Sequence, residues 1–336
     1  MTLSGSGPRT LARALVPYPA RSAAHLARGH ARRLRDLGVE AYVRWTVLKA
    51  WLAWRRAEGV RAYRVISEQA ARARRRSDTV FVFGSGWSLN ELGSAEWAHF
   101  AAHDVLGFSG FVYQDWVRTD FHLVRGWDYG ERNADRRWLR SARVYAGHIA
   151  RRGRFTDAVF VLQDEYRAVF ARTLLGCRLL PPGATVLPYR TARGPGMGPS
   201  ARLADGLSHG TGTLCDAVNL AYVLGWRTIV LVGVDLYDSR YFWVPPESTV
   251  AFDAGGEMVP APVNFRGATA ADVHPVVRNG LVELMGDWAA LFARHGVTLT
   301  VYNPRSLLAA VMPVYSAAPS ASPRRDAAPA EGRTVS

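Results

Sequence analysis

The feature that most constrains this chain is an alternation of short apolar runs with stretches long enough to form helices. Thr79–Phe83 (TVFVF) opens the series, followed by Asp104–Phe108, Phe121–Val124, residues 158–162, Thr228–Val232 (TIVLV) and residues 297–301. Helix-sized segments lie between them, notably residues 213–225 and 280–295. Strands alternating with helices predict right-handed β-α-β units around a mostly parallel sheet, a Rossmann-like α/β domain.

Charge divides the chain differently. Residues 1–78 carry 17 Arg and Lys against 5 Asp and Glu, so +12 of the formal +14 sits in the first quarter. A nucleic-acid-binding domain needs its charge on the recognising face, so this asymmetry argues against nucleic acid as the partner. Residues 1–76 lack β-branched runs and read as a basic helical extension, residues 77–315 as the α/β domain, and the Ala-, Pro- and Ser-rich residues 316–336 as a disordered tail. The apolar peak at residues 42–54 is too short, and too interrupted by Arg44 and Lys49, to span a bilayer. Its Trp45, Trp51 and Trp54 suit either an amphipathic helix on an anionic membrane surface or a helix packed on the main domain. Cys177 and Cys215 are the only cysteines; neither a disulfide framework nor a metal site is expected, and a cytoplasmic setting fits, with peripheral attachment to the inner membrane face as one of the two roles open to the extension.

Three constellations can carry chemistry. Gly84-Ser85-Gly86-Trp87-Ser88-Leu89 follows the first strand and leads into a helix-like stretch, a turn whose amides can hold a phosphate. It lacks the third glycine of the dinucleotide fingerprint and the Gly-Lys-Ser/Thr of a P-loop, and a tight turn without a ligand is the plain alternative. Ser208-His209-Gly210-Thr211-Gly212-Thr213 precedes the next helix, and Gly233-Val234-Asp235-Leu236-Tyr237 follows the strand after it, so both open on the same sheet edge. His274 stands in Asp272-Val273-His274-Pro275 before the last helix. Taken singly, His274 reads as a loop histidine, Tyr237 and Tyr241 as packing residues, and Asp235 as a structural acceptor for loop amides.

In order, Gly84 to Leu89, Thr211 to Arg227, Gly233 to Tyr237, Asn264-Phe265, His274 and Asn303 to Leu308 resemble glycosyltransferase family 42, the small bacterial sialyltransferases. The likeness covers roughly residues 78 to 312. It implies metal-independent, inverting transfer of a nonulosonic acid from a CMP-sugar donor to a glycan or glycolipid acceptor, with no cofactor. By the resemblance, His274 is the general base and Tyr237 and Tyr241 donate hydrogen bonds to the CMP phosphate. The nucleotide would lie against Gly84, Ser85, Gly86, Ser88, Thr211, Gly212 and Asp235. The chain departs from the family where Trp87 replaces the usual turn proline, and where Ser109 and Arg125 stand in place of nucleotide-touching asparagines. CMP-sialic acid, CMP-Kdo and related donors therefore stay open, as does self-association. Two other readings remain: an ATP- and magnesium-dependent enzyme like the 6-hydroxymethylpterin pyrophosphokinases, which share the glycine turn, and a non-catalytic protein on a sugar-nucleotide-binding fold.

Overall fold

The alternation read from the sequence closes into one parallel sheet. A computed structural model describes residues 38–125, 137–151, 153–165, 168–192, 198–237, 240–243, 250–252, 258–260 and 279–316, with 30–31, 34–35 and 277 as isolated positions. His274, Asn264, Phe265 and residues 317–336 lie outside the described residues.

Among the described residues the helices are α1 (Val39–Gly59), α2 (Glu68–Arg72), α3 (Ser94–Ala101), α4 (Arg137–Arg151), α5 (Val169–Gly176), α6 (Thr213–Leu224) and α7 (Leu281–Arg294). The strands are β1 (Arg64–Val65), β2 (Thr79–Phe83), β3 (Asp104–Phe108), β4 (Phe121–Val124), β5 (Val159–Gln163), β6 (Thr185–Tyr189), β7 (Thr228–Val232), β8 (Val250–Phe252), β9 (Met258–Pro260) and β10 (Thr298–Val301). Eight of them form a sheet in the order β1-β6-β5-β4-β3-β2-β7-β10, every neighbouring pair parallel. β8 and β9 make a separate antiparallel pair. β2, β3, β4 and β5 are buried along almost their whole length because helices cover both faces of a parallel sheet. One core joins α6 and α7 to the strands through Trp226, Trp288, Phe292 and Met285; another joins α4 and α5 through Tyr145, Phe160 and Phe170.

The stretch read as an extension contributes to this sheet. Arg64 pairs with Thr185 and Val65 with Val186, making β1 the edge strand beside β6. Upstream, α1 lays Trp45 and Leu52 against Val169 of α5. Gly59 permits that contact, since a Cβ there would lie 2.1 Å from the Leu175 carbonyl oxygen. The boundary drawn at residue 76 thus falls inside the sheet-forming part of the chain.

From β2 the strands step through β3, β4 and β5 to β6 in one direction, and the chain then returns to place β7 on the other side of β2. The order reverses between β2 and β7. In open α/β sheets ligands bind in the crevice outside the carboxyl ends of the strands at such a switch point.

Candidate functional site at the switch point

The glycine turn leaves β2 at this crevice. The Gly84 amide donates to the Val232 carbonyl and the Gly86 amide to the Gly233 carbonyl, both at 2.8 Å. Neither glycine is present for left-handed backbone: Gly86 is extended, at φ −70°. They allow close approach, because a Cβ on Gly84 would lie 2.5 Å from the Gly233 oxygen and one on Gly86 would lie 2.4 Å from Asp235 Oδ2. The turn runs into a 3-10 turn at Trp87–Glu91, with α3 starting only at Ser94, so the helix-like stretch expected after the turn is instead two elements.

Asp235 fastens three separate pieces of sequence together. Its buried carboxylate accepts the Ser88 amide at 2.9 Å, the Ser88 hydroxyl at 2.5 Å and the Asn303 side-chain amide at 3.2 Å. The Ser306 hydroxyl donates to the Val234 carbonyl at 2.6 Å. The Gly84–Ser88 turn, the Gly233–Tyr237 loop and the Asn303–Leu308 segment therefore converge at the carboxyl ends of β2, β7 and β10. The amides of Gly84, Gly86 and Ser88 are spent inside this convergence, so they are not the donors the turn would offer a phosphate.

Aromatic residues form its rim. Tyr237 accepts from the Asn303 amide at 3.2 Å and carries the Arg305 guanidinium over its ring at 5.6 Å. Tyr241 bridges antiparallel to Gly86 and stacks on Trp243 with centroids 4.5 Å apart. Burial pushes both phenols above their ordinary pKa, so both stay protonated and able to donate at neutral pH. Trp87 takes the Arg240 guanidinium over its ring at 4.7 Å. Ser109 and Leu236, at the carboxyl ends of β3 and β7, adopt φ of 50° and 62°. Non-glycine residues there are strained by about 1 kcal/mol or more, and both sit in loops of this edge.

A second polar cluster lies beside the first, over β4, β5 and β6. Arg125, just past β4, donates to Asp216 of α6 at 2.9 Å and 3.2 Å, and His209 Nδ1 lies 2.5 Å from the same carboxylate. Burial pushes the Asp216 carboxyl up, and the bonds from His209 and Arg125 oppose it. The Tyr189 hydroxyl sits among Asp216, Arg125 and Glu165, and Gln163 donates to Thr191 at 3.0 Å. Thr211 and Gly212 stand at the amino end of α6, the Thr211 hydroxyl beside the Cys215 thiol. With Nδ1 held by Asp216, the His209 side chain is still one-third exposed. His209 stood in a motif already singled out, but its pairing with Asp216 had no signal in sequence, because Asp216 reads as an ordinary residue of a helix's first turn. Asn303 likewise shows its role only when Asp235 is brought to it.

The resemblance thus has Gly84, Ser85, Gly86, Ser88, Asp235, Tyr237 and Tyr241 together at the switch point, and Ser109, Arg125, Thr211 and Gly212 on the same edge. Among the described residues, no group of three or more His, Cys, Asp or Glu could hold a metal ion. No family model matches the chain, and no match is found among curated proteins.

Proposed function

We propose that this protein transfers a nonulosonic acid from its CMP-activated form to a hydroxyl of a glycan or glycolipid, with inversion and without a metal. The observation that carries the reading is the convergence of the Gly84–Ser88 turn, the Gly233–Tyr237 loop and the Asn303–Leu308 segment at the switch point of a parallel sheet. Those are the pieces whose order resembles glycosyltransferase family 42.

In this mechanism the acceptor oxygen attacks the anomeric carbon as the bond to the CMP phosphate breaks, and the departing electron pair stays on the phosphate. The acceptor proton passes to His274, whose imidazole titrates near 6.5 when unperturbed. Tyr237 and Tyr241, kept protonated by burial, donate to the phosphate as its charge grows. The acceptor is met at the inner membrane face.

The test is release of CMP from a panel of CMP-activated sugars, with magnesium and with EDTA. Metal-independent release from one donor, lost in His274→Ala while CMP still binds, is the expected result. ATP turnover that requires magnesium, with silence across the CMP-sugars, would transfer the site to the pyrophosphokinase-like reading. One observation favours a non-catalytic protein: Arg125 is committed to Asp216 and the glycine-turn amides to the β7 loop. Tight CMP binding without turnover of any donor would establish that reading instead.

A further inference from the structure

α1 is apolar on two opposite sides. Trp45, Leu52 and Gly59 are buried toward α5, at 9 % exposure or less for the two side chains. Val39, Val43, Val47, Trp51 and Trp54 are exposed at 67, 50, 61, 39 and 57 %. At about 100° per residue these five positions fall on one stripe, roughly half a turn round from the buried set. The stripe runs about 22 Å along the helix at about 1.5 Å per residue. The face that docks α1 onto the domain and the exposed stripe are therefore different surfaces.

We propose that α1 lies flat on an anionic lipid bilayer, with Val39, Val43, Val47 and Trp54 immersed at the boundary between headgroups and acyl chains. No described helix is long and apolar enough to cross a membrane, so contact is along the surface. Tryptophan suits that depth because its ring is apolar while its N–H still finds a partner among the headgroups. Charge selects the occupant. The first 78 residues carry +12, and Arg61 and Arg64 are exposed just beyond the stripe's carboxyl end. Within α1 itself Arg44 pairs with Glu40 and Arg55 with Glu58, so the excess comes from the flanks and not from the stripe. A second copy on this face would bring two net-positive segments together, whereas an anionic leaflet attracts them.

This inference rests on the membrane-face part of the proposed function and is independent of the donor. The experiment is flotation of the full chain with vesicles of phosphatidylcholine alone and of phosphatidylcholine with phosphatidylglycerol, comparing wild type with the triple variant Val43→Ser, Val47→Ser, Trp54→Ser. All three sites are exposed, and matching far-UV circular dichroism and melting temperature confirm that the variant is folded. Wild type should float with the anionic vesicles, with a blue-shifted tryptophan emission, and the variant should bind at least about tenfold more weakly. Equal binding to both vesicle types, undiminished binding by the variant, or a wild-type dimer that the variant dissolves would each overturn it. CMP-sugar turnover, assayed separately without vesicles, decides the donor reading, so either can fail without the other.

Discussion

Asp235 is the residue on which the site's geometry depends. Removing its carboxylate in Asp235→Ala leaves the Ser88 amide and hydroxyl and the Asn303 amide without their acceptor in a buried place. The cost should be about 3 kcal/mol, seen as a lowered melting temperature and, on the proposed function, weakened CMP binding. Loss of binding at unchanged stability would mean that Asp235 meets the ligand itself. His122, on β4, sets a different expectation. It is wholly buried, its Nε2 lies 2.6 Å from the Tyr145 hydroxyl, and burial pushes its pKa down to about 3. The folded state then keeps the ring neutral while the unfolded chain takes up a proton near pH 6.5, so the unfolded state binds more protons between these values. Stability falls as pH drops through that window, by up to about 1.4 kcal/mol per unit. Chemical denaturation at pH 7 and pH 5 should show the loss, and His122→Phe should flatten it; an unchanged slope would show that other groups govern acid sensitivity.

At the scale of elements, α1 and β1 are structural as well as peripheral. Gly59→Val would force a side chain onto the Leu175 carbonyl and the Gly176 backbone, and overpacking of this kind costs about 1–3 kcal/mol. Its melting temperature should fall, and a variant as stable as wild type would show that α1 can lift off α5 freely. The strands β2, β3, β4 and β7 were legible because each is a short, mainly apolar run bounded by turn residues. β6 was not: its TVLPY contains Pro188, which reads as a strand breaker. The structure resolves this, because the carbonyls of Ala184 and Val186 point to β1, and Pro188 faces the same side beyond the last bond, from the Ile66 amide to Val186. The missing donor therefore falls where β1 has already ended. β1 itself is two residues long and held by pairing alone, so no local pattern announces it. In the site, the glycine turn and the Gly-x-Asp loop were visible as motifs. The Arg125–Asp216–His209 cluster was not, since its members come from separate elements and meet only through the fold.

For the molecule as a whole, an N-terminal stretch that supplies both an edge strand and a helix packed on α5 should not melt by itself. A single calorimetric transition is expected, with calorimetric and van't Hoff enthalpies in agreement. A separate low-temperature transition that disappears when residues 1–76 are removed would show an independent unit. The place of β2 has a consequence for how the chain is made. Its neighbour β3 follows within a few tens of residues, but its other neighbour, β7, is paired through Thr79 with Thr228 and is synthesised much later. While the ribosome is still adding the segments between, β2 through β6 can associate, yet TVFVF has one row of amides and carbonyls uncovered at what will become the middle of the sheet. An open, uncharged apolar edge of this kind templates other strands. The interval before β7 emerges is therefore when this chain is most exposed to misassembly, and slower synthesis across residues 190–227 lengthens that interval.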